Sequence, residues 1–442
     1  LVTNSHQPTE GRFAWYEAHI HTGEGWNMHG GLFPGGPGIF TGNNEHLGWA
    51  HTNNYHNFGD VYKLKMNPDD KDEYWYEGEW HELKTHKARL KVRILGGLIR
   101  LPVKRKFYES VHGPVLEQDG SYYAFRFPAP RIIGGVEQWY EMSKATNLQE
   151  FKQALRMQQI PLFNTVYADN GGNIMLFSQG HFPKRDPSLN WEYPLPGDSA
   201  AYVWDWDELQ PFEAKPMVEN PSCGFIYNAN NTPKHATCPE ENWQGDWPGV
   251  QNFEYNRGDR FARLLIPKEG EWTWEEMKRL KRDPCYDSTG TYMQAFRPLF
   301  ELDPAEHPDL ADAIRHVQQW DLCSEVDDKH AALGNLSNYY IQEAGPHRFA
   351  LLMILGDPIK EEIALQGLEN ARDFLMDHYG RLDVPWGRVL RHRRGDVSLP
   401  VGGAVEVPEA RHYRMKEKEG IIEVKGGETL IQYVKFPKDG LP

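Results

Sequence analysis

The chain holds nineteen histidines, and His19-Ile20-His21 would set two imidazoles on one face of a strand, a spacing suited to a metal ion. Neither an HExxH motif nor a carboxylate that would complete such a pair accompanies them, so surface or hydrogen-bonded histidines are the better reading. The sequence also lacks a GxSxG elbow and a GxxxxGK(S/T) loop, which removes the usual flags of serine hydrolases and P-loop enzymes. The run from Gly30 to Gly38 is outside the strand-glycine-helix context of a dinucleotide fold, and its prolines work against phosphate cradling. Three other segments concentrate amides, hydroxyls and imidazoles. They are Asn4-Ser5-His6-Gln7-Pro8, the stretch from Leu47 through Asn53-Asn54 to Asn57-Phe58-Gly59-Asp60-Val61-Tyr62, and the stretch from Asn220 through Asn228-Ala229-Asn230-Asn231 to Pro233. Taken singly, each has the composition of a turn.

Composition bounds what such segments can belong to. With 48 Lys+Arg against 63 Asp+Glu, the net charge of −15 argues against a protein built to neutralise nucleic-acid phosphates. A 13% aromatic content can fill a large core and is far from the profile of disorder. No window approaches the roughly 18 uninterrupted apolar residues of a membrane span. Length suggests two or three domains' worth of chain, or one elaborated domain. Leu1 is not a Met, and no basic segment followed by an apolar stretch precedes it, so no signal peptide is visible. The four cysteines, Cys223, Cys238, Cys285 and Cys323, are too scattered for a zinc knuckle or a CxxC pair. Cys223 and Cys238 flank one segment and suit either a loop-closing disulfide or buried free thiols.

The elements that must position these residues follow from periodicity. Short apolar runs such as Phe13 to Tyr16 and Leu47 to Ala50 alternate with Gly-Gly and Pro-Gly turns, which predicts short strands in crowded turns. From Trp75 to Phe127 the pattern has period two, as in Arg89-Leu90-Lys91-Val92-Arg93-Ile94, and predicts an antiparallel region with apolar residues on one side and a solvated basic face on the other. Residues 147 to 160 read as a helix opening at Asn147. Thr165 to Ala168 and Ile174 to Phe177 flank Asp169-Asn170-Gly171-Gly172-Asn173, a strong hairpin signal. A further strand is predicted at Gly224 to Asn228, a largely helical stretch from Trp272 to Tyr379, and a late hairpin of Ile421 to Val424 with Thr429 to Val434. The order β, α, β, helices, β indicates sheets with helices packed on them.

In order along the chain, the three segments resemble the β chain of the penicillin acylase family of N-terminal nucleophile hydrolases. The resemblance extends to Tyr167-Ala168-Asp169 with Gly172-Asn173-Ile174, to Arg257 and Arg263 ahead of Leu264-Leu265, and to Leu382-Asp383-Val384-Pro385-Trp386-Gly387 followed by Arg393-Arg394-Gly395-Asp396. It implies an α+β fold, the αββα four-layer sandwich, with an inserted antiparallel β region and a helical region. The corresponding divisions are 1–62 for the first part of the core, 63–130 for the inserted β region, 131–270 for core sheets, 271–380 for the helical region, and 381–442 for the return to the core. It also implies hydrolysis of an amide linking an acyl group to an amine. The nucleophile would be a Ser freed by self-cleavage one strand upstream of Leu1, whose α-amine is its own base. This chain would then be an interior fragment, inactive alone and paired with an α chain from the same precursor.

Residue by residue, the resemblance assigns the backbone N–H of Asn53 and the side-chain amide of Asn230 as oxyanion donors, and Arg257 as the residue that holds Asn230 and the terminal amine. Arg260 and Arg263 are expected to serve packing. His6 matches a position near the nucleophile that is His in long-chain and lactone acylases. Thr41 and Thr165 align with bulky aromatics of penicillin G enzymes and would enlarge an acyl pocket also walled by Gln7, His51 and Tyr55. Long or bulky acyl groups, N-acyl-homoserine lactones among them, are therefore favoured over phenylacetyl. Asn57, the Gly59 carbonyl and Asp60 align with ligands of a structural calcium ion, although the family usually has Asp where Asn57 stands. Relatives are commonly periplasmic. A penicillin or cephalosporin acylase is the nearest alternative, and an aromatic-rich binding protein without catalysis is the alternative from another class.

Overall fold

The computed structural model describes residues 1–344 and 356–437. Residues 345–355 of the expected helical region and the last five residues of the chain lie outside them. Leu47–Thr52 is buried along almost its whole length, with Trp49 fully enclosed, although its residues must alternate between two faces. Such a strand needs cover on both sides. It sits inside a seven-stranded antiparallel sheet in the order Met217–Glu219, Ile174–Gly180, Leu162–Asp169, Leu47–Thr52, Thr41–Asn43, Asn27–Leu32, Tyr16–His21. The predicted hairpin closes as expected, Asp169 Oδ1 accepting from the Asn173 amide at 2.9 Å. Glycines at 30 and 42 let neighbouring backbones touch, since a Cβ on Gly30 would lie 2.1 Å from the Thr41 carbonyl oxygen.

Helices Gly135–Lys144 and Leu148–Leu155 cover the outer face of this sheet. Asn147 caps the second, its Oδ1 accepting from Glu150 N at 3.0 Å, as the sequence predicted. Met142, Phe151 and Leu155 pack on Trp49, Tyr167 and Phe177. The second sheet is centred on Ile421–Gly427, which pairs antiparallel with Arg411–Lys416 and Gln7–Pro8 and parallel with Leu390–Arg394. Helices Thr291–Phe300, Ala311–Val317, Ala331–Ala344 and Glu361–Tyr379 share a core with Leu390, Ile422 and Val424 of that sheet. Ala331 to Asn338 are all buried, so this helix runs through the middle of its layer. Between the sheets, Ser5 Oγ donates to the His51 carbonyl at 2.6 Å. The layers are therefore helix, sheet, sheet, helix.

A third sheet of six strands grows from the first through Asp60–Leu64 and contains Lys84–Ile94, Ile99–Ser110, Gly113–Gln118, Ser121–Arg126 and Leu195–Pro196. The Lys84–Ile94 and Ile99–Ser110 hairpin departs from the expected one-sided burial. Leu90, Val92, Ile99 and Leu101 are exposed along with the basic residues, because nothing among the described residues packs on its outer half. Two further expectations are corrected. Gly224 to Asn228 forms no strand but a looped segment tied by Tyr227 N donating to the Ala236 carbonyl at 3.0 Å and Thr237 Oγ1 donating to the Phe225 carbonyl at 2.8 Å. Ile431–Tyr433 does not fold back on Ile421–Gly427; it pairs with Val2–Asn4. Cys223 bonds Cys238, and Cys285 bonds Cys323, a pairing the spacing did not suggest.

Candidate active site

Residues 53–59 connect the seven-stranded sheet to the six-stranded one and are fastened at nearly every position. Asn54 Nδ2 donates to the Gln179 carbonyl at 2.8 Å, Tyr55 N to Gln251 Oε1 at 3.1 Å, and Asn57 N to the Gly249 carbonyl at 2.7 Å. His56 Nδ1 accepts from Gln251 N at 3.0 Å. Burial pushes the His56 ring down to about 3, which keeps it a neutral acceptor. At the head of this fastened loop Asn53 remains exposed.

Asn230 faces it from the looped segment. Its φ of +70° is left-handed, a conformation that Asn tolerates better than other residues with a Cβ. The turn is held by Asn228 Oδ1 accepting from Asn230 N at 3.0 Å and by Gln251 Nε2 donating to the Asn230 carbonyl at 2.7 Å. Arg257, in the first turn of helix Asn256–Leu265, donates from Nη2 to Asn230 Oδ1 at 2.9 Å. A guanidinium can only donate, so this bond fixes which end of the amide is oxygen. The NH2 group is thereby aimed at Asn53, donating to its carbonyl at 2.8 Å with a second hydrogen left over. Arg257 is steadied in turn by Glu406, with Nε 3.6 Å from Oε2. Asn53, Asn230 and Arg257, distant in sequence, thus form one constellation. Arg260 and Arg263 pair with Asp283 and Asp287 and tie the helix to the next segment.

His6 sits beside it in a pocket of charge. Its Nε2 is 3.8 Å from Glu428 Oε1, but that oxygen already accepts from Lys281 Nζ at 2.7 Å and Asn4 Nδ2 at 2.6 Å. Burial above all, and then Arg257 and Lys281, hold the imidazole well below the ordinary histidine range. It is a neutral ring at neutral pH, suited to accept a hydrogen bond. Lys281, Glu428, His412, Glu406 and Gln251 were not singled out from the sequence. Lys281 read as one more basic residue at a helix end, and its partner Glu428 lies 147 residues away.

The expected pocket residues divide into two groups. Thr165 and His51 are opposite each other in adjacent strands and bonded, Thr165 Oγ1 lying 3.1 Å from His51 Nδ1. Trp139 Nε1 donates to His51 Nε2 at 2.9 Å, and burial pushes this ring down to about 4, so Nδ1 carries the proton and donates to Thr165. Gln179 Nε2 donates to the same hydroxyl at 2.6 Å and its Oε1 accepts from Gln138 at 2.8 Å, which completes a buried polar chain into helix Gly135–Lys144. Thr41, also buried, donates to the Trp49 carbonyl at 3.0 Å. Tyr55 is exposed, edged by Phe253 and Tyr255. Gln7 belongs to the other sheet, paired with Gly427.

Of the three expected calcium ligands, the side chains of Asn57 and Asp60 are already committed to a cation of the chain. Arg185 Nε donates to Asp60 Oδ2 at 3.0 Å, while its Nη1 and Nη2 donate to the Asn57 carbonyl at 2.6 Å and Asn57 Oδ1 at 3.3 Å. Oxygens already turned toward a fixed cation do not fit a divalent ion, which needs six to eight of them and a surplus of negative charge. His19 and His21 stand exposed on an edge strand, His19 Nε2 lying 2.7 Å from Asn27 Oδ1. Among the described residues one group has metal-like spacing, Cys223, Cys238 and Glu241, and both of its sulfurs are in a disulfide. Among the described residues no helix is long and apolar enough to cross a membrane.

The four layers define an N-terminal nucleophile hydrolase fold. The sequence pattern of the penicillin amidase family matches residues 1–440, and the chain belongs to that family. It is 26% identical over 483 aligned positions to an acyl-homoserine lactone acylase PvdQ of Pseudomonas fluorescens, covering 100% of this chain and 61% of the relative. It is 28% identical over 291 positions to the penicillin G acylase of Escherichia coli, covering 62% of this chain and 31% of the relative. The chain therefore spans at most about three fifths of these relatives' length. A solved thermostable penicillin G acylase from Alcaligenes faecalis superposes with a TM-score of 0.62 at 19% identity, over 87% of this chain and 77% of that one.

Proposed function

We propose that this chain is the site-bearing part of an amide hydrolase that transfers an acyl group from an amine to a serine and then to water. The observation that carries the proposal is the Asn230 amide, oriented by Arg257 and aimed at the exposed Asn53 peptide. In this reading the Asn53 N–H and the free hydrogen of Asn230 Nδ2 receive the carbonyl oxygen as it becomes an oxyanion. The serine stands at the head of a strand leading into Leu1, freed by self-cleavage from an α chain that completes the acyl pocket. Its own α-amine, with a pKa near 8, takes the hydroxyl proton and returns it to the leaving amine. Neutral His6 accepts a hydrogen bond near that amine and orients it. Two disulfides suit an oxidising compartment such as the periplasm.

The favoured substrates are long or bulky N-acyl amides, N-acyl-homoserine lactones among them. The match to a lactone acylase along the whole chain supports this choice. The test is a panel of acyl-homoserine lactones and phenylacetyl amides assayed on the complete, processed protein, with higher kcat/KM expected on long acyl chains. Faster cleavage of phenylacetyl amides would reject the preference. Mass spectrometry of the product that found an uncleaved precursor in active protein would reject the serine mechanism.

A further inference from the structure

The Arg185 guanidinium is completely enclosed, and its partner Asp60 is only 2% exposed. Besides Asp60 and Asn57 it donates to the Pro248 carbonyl at 3.3 Å, and it lies 5.5 Å from the Trp191 ring centroid. Trp204 Nε1 donates to Asp60 Oδ2 at 2.6 Å, and Asn57 Nδ2 donates to the Trp191 carbonyl at 3.1 Å. The backbone is shaped around this charge. Gly249 has φ +95°, and a Cβ there would lie 2.2 Å from Arg185 Nη1.

We infer that Arg185 is a built-in cation that does the work of a bound metal ion, fastening the loop 53–60 from within the chain. Charge supports it: Asp60 and Arg185 cancel, so a divalent ion added here would leave two buried positive charges uncompensated. Ligand count supports it as well. Asp60 Oδ1 is the one carboxylate oxygen without a hydrogen-bond partner, and Asn57 Oδ1 already accepts from both Arg185 and the Gly59 amide. Even with the Gly59 carbonyl added, two oxygens are far short of the six to eight that calcium takes. The planar fork also holds two residues of the loop at once, which an ammonium on a single stem cannot do. The loop that presents Asn53 therefore owes its order to a covalently attached charge, which no chelator can remove.

The test reads metal content and melting temperature of the complete protein, and so is independent of the substrate reading. Protein purified with excess calcium and desalted should carry well under one calcium per chain by elemental analysis. Its melting temperature should be unchanged by calcium or by EGTA. One tightly held calcium per chain, or a melting temperature raised several degrees by calcium, would overturn the inference. Arg185→Met should lower the melting temperature by roughly 5 °C or more, and Arg185→Lys by less. If Arg185→Met melts with the parent protein, the inference also fails; if it does not fold, Arg185→Lys and the parent's metal content decide.

Discussion

Two arginines act on the same loop from opposite ends, Arg185 directly and Arg257 through Asn230, and they differ in what surrounds them. Arg185 is sealed in, with every neighbour an acceptor or a ring, and its partner carboxylate is as buried as it is. Arg257 is less enclosed, set between Asn230 and Glu406, with 11% of its side chain still open. A sealed ion pair of this kind has no freedom to respond to a substrate, so it can only hold. Arg257 holds one amide with a second hydrogen to spare, the arrangement on which the proposed oxyanion site rests. The contrast separates fastening from chemistry within a segment of eight residues.

The largest effect should come from breaking the sealed end. Arg185→Met leaves Asp60 charged and unpaired in the interior, and a loss of about 3–5 kcal/mol in denaturant unfolding is expected. Breaking the less enclosed end should do the opposite. Asn230→Ala in the complete enzyme should lower kcat about 100- to 1,000-fold, with a melting temperature close to the parent. A loss of stability comparable to that of Arg185→Met would erase the distinction. Arg257→Lys sharpens the same point: the charge stays, the directional bond to Asn230 Oδ1 goes, and kcat should fall about tenfold.

Acid should reveal the sealed end before the less enclosed one. His56 and His51 are buried with ring pKa values pushed down to about 3 and about 4, whereas unfolded histidines take a proton near 6.5. Below about 6.5 the unfolded chain binds protons that the folded one refuses, so stability should fall by about 1 kcal/mol per pH unit for each ring until the folded rings titrate. Unfolding midpoints measured from pH 7 to pH 4.5 check this, and His56→Asn should flatten the slope. The smallest effect is expected far from both arginines. Lys104→Glu on the projecting hairpin should shift stability by no more than about 0.5 kcal/mol.

Local signals were read correctly where the cause was local. The Asp169 to Asn173 turn and the Asn147 cap each depend on residues within four positions of one another. Asn53, Asn230 and Arg257 were found through the order of family motifs, since neither a 177-residue nor a 27-residue separation leaves a mark on periodicity. Arg185 was missed because a Pro-Lys-Arg-Asp stretch looks like a solvated turn, and only the fold reveals that Asp60 lies opposite it. The strand expected at Gly224 to Asn228 failed for a related reason. Its alternating residues satisfy their backbone through Ala236 and Thr237 across a disulfide loop instead of a sheet neighbour.

The pairing of Val2–Asn4 with Ile431–Tyr433 has a consequence in time. The Leu1 backbone nitrogen donates to the Val434 carbonyl across 433 positions, and Gln7–Pro8 depends on the strand Ile421–Gly427 in the same way. These partners lie hundreds of positions apart, so the segment bearing Ser5 and His6 can seat only after Ile421–Gly427 and Ile431–Tyr433 have been made. Seating of this segment is therefore a late, long-range step of folding that waits on two distant strands.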